Sequence, residues 1–198
     1  MDFDKATLQK AADAGSAKVA EAFSKLAGSE AKVIASTVEM VSLEEALKSV
    51  NPDSQRSIVV YSQVISGGPA PGISLLTMAR ENALALVDVL NQQAVGTTGI
   101  LKDIDRSALK ETLNILSNSY MTALSESANI ELGLGVPNMI TSKRMEDIVK
   151  DMLQKGDTEG NVAITFETKF QIVESEAEAS LFFIFNETLY QAIVASII

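Results

Sequence analysis

The segment SALKETLNILSNSY, Ser107 to Tyr120, sets an acid and an amide, Glu111 and Asn114, three residues apart. On a helix that spacing makes their side chains neighbours. A primary amide donates to and accepts from one water, so it can aim the water's lone pair at an electrophile. A carboxylate accepts from a lysine or from that same water. Such a pair can promote hydrolysis without a covalent intermediate. At about 100° per residue, Ser107 and Asn118 extend the same polar row by one turn on either side. The plain alternative is a surface helix that simply keeps its polar residues in water.

Composition narrows the chemistry further. The 198 residues include no cysteine and no histidine, which removes thiolate nucleophiles, cysteine or histidine metal sites and the commonest general base. Carboxylates, amides, hydroxyls and lysines are what remain. A net charge of −10 with scattered Lys and Arg argues against nucleic acid, because neutralising phosphates needs a basic face. No apolar run approaches the roughly 20 residues that span a bilayer, and MDFDKATLQK lacks the basic and apolar parts of a signal peptide, so a cytoplasmic address is the expectation. Apolar residues make up 46% of the chain, enough for a substantial core.

The elements that would position the pair form a faint internal repeat. DKATLQKAADAGSAKVAEAFSKLAG, from Asp4, aligns with DRSALKETLNILSNSYMTALSESAN, from Asp105, pairing Leu8 with Leu109, Ser16 with Ser117 and Ala22 with Ala123. Each half, about 4–93 and 104–198, reads as a long helix, a strand, a short helix, two strands and a closing helix. Residues 94–103 look like the link. The expected strands are AKVIASTVEM, SIVVYSQVIS, GISLLTM, IELGLGVPNMI, NVAITFETKFQIV and EAEASLFFIF, with GGPAPG as a hairpin turn. Helices set to one side of antiparallel strands make the fold class α+β, two pseudo-symmetric halves with long helices packed on an antiparallel sheet. In the second long helix, about 105–127, Leu109, Leu113, Leu116, Tyr120, Ala123 and Leu124 form the core stripe. Asp105 is its N-cap candidate and Ser107 a first-turn residue. Asn114 and Asn118 are poor helix formers, so helix stability does not account for them.

The spacing Ser107, three residues, Glu111, two residues, Asn114, then twenty-two residues and Pro137 resembles the signature of the CheC family of chemotaxis phosphatases, which includes the CheX and FliY types. The repeated halves and the order of elements look like that family too, so the resemblance spans nearly the whole chain. It implies a hydrolase that removes the phosphoryl group from an aspartate of the response regulator CheY. Asn114 would position the attacking water and Glu111 would hold a lysine of the regulator. Ser107 and Asn118 would touch the substrate protein, and Pro137 would shape the floor beside the helix. Magnesium would come from the regulator, leaving this chain with no cofactor or metal of its own. A convex helix face suits another protein's cleft better than a small molecule.

The first half departs from the pattern. Lys10 stands where Glu is expected, Asp13 where Asn is expected and Ser36 where Pro is expected. Lys10 reverses the charge needed to meet a lysine, and an ionised Asp13 has no proton to donate. One working site is the expectation.

Other stretches read blandly. SGGPAPG lacks phosphate-loop spacing and is a turn. Glu174, Glu176 and Glu178 have no calcium-loop pattern and mark an exposed strand or turn edge. The apolar ending QAIVASII is too short to cross a membrane, and the resemblance makes it a possible contact for CheD, a receptor deamidase. The rival reading is a non-catalytic module of the same fold that binds CheD or components of the flagellar switch.

Overall fold

The computed structural model describes residues 5–50, 57–66, 72–128, 131–141, 145–154, 162–187 and 191. Its elements run α1 (Lys5–Ala27), β1 (Ala31–Ser42), α2 (Leu43–Val50), β2 (Ser57–Ser66), β3 (Gly72–Ala79), α3 (Arg80–Leu90), α4 (Asp103–Ala128), β4 (Leu132–Leu134), β5 (Asn138–Thr141), α5 (Met145–Gln154), β6 (Val162–Ile172) and β7 (Glu178–Asn186). Most of the expected closing helix of the second half, and the GGPAPG turn as far as Pro71, lie outside the described residues. None of the described helices is long and apolar enough to cross a membrane.

The α+β class holds, built on a seven-stranded antiparallel sheet in the order β1-β6-β7-β3-β2-β4, with β5 also paired to β2. Each half lends its edge to the other. β1 pairs with β6, while β4 and β5 pair with β2. The two halves therefore share one hydrogen-bonded ladder, and β7 against β3 closes its centre.

Strand alternation divides the core into two layers. On one face α1, α3 and α4 cover Val38, Val60, Leu76, Phe166, Phe170, Leu181, Phe183 and Phe185. On the other, Ala46, Leu47 and Val50 of α2 and Met145 and Val149 of α5 cover Val59, Ile73, Leu75, Phe182 and Ile184. Helices on one side only is thus corrected: the two short helices take the second face, because the central strands β3 and β7 are apolar on both sides and each face must be sealed.

Two local devices matter for the site. Between Leu134 and Asn138 the edge strand is interrupted, so the single strand expected over IELGLGVPNMI is two. The register changes by one residue across the gap, from Val64↔Leu134 to Tyr61↔Asn138. Pro137, which has no N–H for the ladder, sits in this bulge. β1 shows a register shift at the matching place, between Val33 and Ala35. The link between the halves is held by Asp88, fully buried, whose carboxylate accepts N–H bonds from Gly96 (2.8 Å), Thr97 (2.9 Å) and Thr98 (2.9 Å).

Candidate functional site

α4 carries the polar row, and its placement follows from its buried side. Leu109, Leu113, Leu116, Tyr120 and Leu124 are buried as their spacing requires. The Tyr120 ring stacks on Phe183 with centroids 4.6 Å apart and lies against Gly15 of α1. A Cβ on Gly15 would stand 2.6 Å from Tyr120 Cε2, so the glycine inside α1 is what lets α4 approach. Burial, with the charge of Asp13 adding to it, pushes the Tyr120 phenol well above its ordinary range. The helix begins at Asp103, earlier than the N-cap candidate Asp105. Asp105 is instead inside the first turn and reaches back to accept the Lys102 N–H at 2.8 Å, as the acid of a capping box does.

A ladder of hydroxyls sets α4 in register with the sheet. Ser117 Oγ and Ser74 Oγ of β3 are 2.6 Å apart and buried. Ser74 stands opposite Ser62 of β2, and Ser62 Oγ donates to Gly135 O at 2.8 Å. The bulge holding Pro137 is therefore tied, strand by strand, to the middle of α4. In the first half Ser16, the repeat partner of Ser117, bonds to Thr168 Oγ1 (2.7 Å) and Ser36 Oγ (3.0 Å). That shared serine was visible in the sequence, but its partners were not.

Glu111 is exposed and makes no hydrogen bond or ion pair with any described residue. Asn114 is half-buried, and its Oδ1 accepts a hydrogen bond from Asn118 Nδ2 at 3.1 Å. Among the described residues, one acceptor position and both amide hydrogens of Asn114 remain. Ser107 is exposed, but its hydroxyl donates back to Asp103 O at 2.9 Å; Thr122 likewise donates to Asn118 O at 2.8 Å. The hydroxyls of Ser107 and Thr122 are bonded to the helix's own carbonyls, whereas Glu111, Asn114 and Asn118 present carboxylate and amide groups outward. The groove between α1 and α4 is lined by Lys18, Leu26, Ile115, Ser119 and Thr122, so the pair stands beside that groove and not within it.

The first-half copy shows what the long spacing between the amide and the proline means in space. Gln9 Nε2 donates to both Asp13 Oδ1 (2.9 Å) and Ser36 O (2.8 Å). The positions corresponding to Asn114 and Pro137 thus converge on a single amide nitrogen. Lys10, in the place of Glu111, is exposed. The terminal segment on which a CheD contact would rest lies, beyond Gln191, outside the described residues.

No family model matches the chain, and no curated protein matches it. Solved structures do. FliY of Thermotoga maritima superposes with a TM-score of 0.70 at 17% identity, over 98% of this chain and 94% of that one. A chain of the FliG–FliM complex of H. pylori gives 0.68 at 12% identity, over 98% and 100%. A chain of the CheX–CheY–BeF3–Mg complex of Borrelia burgdorferi gives 0.56 at 14% identity, over 88% and 97%. The chain has the CheC-like fold that these proteins share.

Proposed function

We propose that this CheC-like chain hydrolyses the phosphoaspartate of a CheY-type response regulator, using Glu111 and Asn114 of α4. The observation that supports this best is the contrast along one helix face. The hydroxyls of Ser107 and Thr122 bond inward to the helix's own backbone, while the Glu111 carboxylate is unpaired among the described residues and Asn114 keeps donors and an acceptor for a visitor.

In the reaction, water attacks the phosphorus of the acyl phosphate, the bond from phosphorus to the aspartyl oxygen breaks, and inorganic phosphate and the free carboxylate leave. Asn114 holds the water in line, and Glu111 pairs with a lysine of the regulator. Magnesium belongs to the regulator's own phosphorylation site. Phosphoryl transfer asks little covalent work of a protein, so positioning supplies most of the rate. Two side chains on a convex helix can therefore suffice once the partner's cleft closes over them. Ser107, already bonded to Asp103 O, is suited to contact the regulator's surface and not to chemistry. The complex of a CheX with CheY and BeF3, a stand-in for a phosphoryl group, supports the partner class.

A second reading has its own observation: a chain of a FliG–FliM complex superposes more closely than the chain from the CheX–CheY complex, with TM-scores of 0.68 and 0.56. On that reading the chain is a non-catalytic component of the flagellar switch. Phosphate release from acyl-phosphorylated CheY-type regulator, timed with and without the chain, separates the two. Acceleration supports the phosphatase; unchanged decay together with binding to FliG supports the switch component.

A further inference from the structure

Asn114 is only useful for orienting water if its amide plane is fixed, and a half-buried asparagine on a helix face can still rotate about its side-chain bonds. Here it is gripped: Asn118 Nδ2 donates to Asn114 Oδ1 at 3.1 Å, one turn further along α4. Both asparagines rank low as helix formers, and a hydrogen bond between side chains four apart returns less than the two lose. Helix stability therefore does not explain the pair.

The first half repeats the device with other residues. Asp13, in the place of Asn114, accepts from the Gln9 amide four residues before it at 2.9 Å. In both halves an amide donor four residues away, along the same helix, holds the side chain at this position. The second half has kept an amide on both sides of the bond.

We propose that Asn118 is a positioning residue, acting through Asn114 and not through contact with the substrate protein; this rests on the phosphatase reading above. Donation from Asn118 occupies one acceptor direction of Asn114 Oδ1, fixes the amide plane, and leaves Nδ2 and the second acceptor direction for the attacking water. When the regulator covers the row and excludes bulk water, the bond strengthens, so the amide is held most firmly in the complex.

Phosphate release should be measured against regulator concentration for the wild type, Asn118→Ala, Asn118→Asp and Asn118→Gln. Asp has the same shape as Asn but lacks the donor, whereas Gln keeps it. The expected result is a kcat lowered about 2- to 10-fold in Ala and Asp, KM within about twofold of wild type, and recovery in Gln, the size being that of one lost hydrogen bond. A nuclear magnetic resonance order parameter for the Asn114 side-chain amide should fall in Asn118→Ala, which offers it neither donor nor acceptor. A raised KM with unchanged kcat would place Asn118 against the substrate and overturn the proposal, as would no change in either constant. If the wild type itself fails to accelerate release, the phosphatase reading falls instead, an outcome recognisable before any variant is made.

Discussion

Gly15 of α1 lies beneath the ring of Tyr120 of α4, so closely that a methyl group there would sit 2.6 to 2.8 Å from Cε2, Cδ2 and Cζ. The helix that carries the polar row is seated through this contact and through the stack of Tyr120 on Phe183.

Gly15→Ala sets two effects against each other. Helix propensity favours alanine by about 1 kcal/mol, while forcing extra atoms against a buried ring costs about 1–3 kcal/mol. The clash wins, and the urea midpoint should fall. Tyr120→Phe is the counterpart: the phenol oxygen is buried without a hydrogen-bond partner among the described residues, so removing it should leave the midpoint unchanged or raise it.

The Ser74–Ser117 bond is buried at 2.6 Å. Either serine changed to alanine strands the other hydroxyl and should cost about 1–3 kcal/mol. The double variant should cost clearly less than the sum of the two, as measured by denaturant unfolding in a double-mutant cycle.

Asp88 predicts a pH dependence. Burial raises its pKa, but bonds from the Thr98 hydroxyl and the backbone N–H groups of Gly96, Thr98 and Thr97 outweigh it, and the carboxyl ends below its ordinary value. A depressed folded-state pKa contributes stability that is present above the unfolded value and lost as pH falls through the folded one. The contribution should therefore be complete at pH 7 and fade below about pH 4. Asp88→Asn should cost about 2 kcal/mol at neutral pH, and its melting temperature should approach that of the wild type as both are acidified. Comparing the two proteins removes the opposite contribution of Glu167, whose pKa is raised mainly by burial.

Lys10 and Asp13 occupy the first-half positions without the chemistry. Lys10→Ala with Asp13→Ala should leave hydrolysis of the regulator's acyl phosphate within about twofold of wild type. A loss comparable to that of the second-half pair would show that both helices act, contrary to the single-site expectation.

Much of this was legible in the sequence for a local reason. Leu109, Leu113, Leu116 and Tyr120 recur at helical spacing, so the buried side of α4, and with it the outward row of Glu111, Asn114 and Asn118, followed from period alone. What escaped was set by distant partners. The exchange of edge strands, with β1 on β6 and β4 and β5 on β2, is fixed by register between halves that no local pattern encodes. The sequence predicts a short helix in each half, but nothing in Ala46, Leu47 or Val50 states which side of the sheet it seals. Gly15, inside α1, is accounted for only by Tyr120 from the other half. Asp105 is the N-cap expected from the sequence, and only the bond from Lys102 N shows that it serves inside the first turn instead.

The most direct test of the central claim is the decay of an acyl-phosphorylated CheY-type regulator alone, with the wild-type chain, and with Glu111→Ala plus Asn114→Ala. Misplacing or removing groups that position a reaction costs about 100-fold or more. The wild type should shorten the phosphate lifetime, and the double variant should return it to that of the regulator alone while binding and folding persist. Equal lifetimes with wild type and double variant would contradict the account.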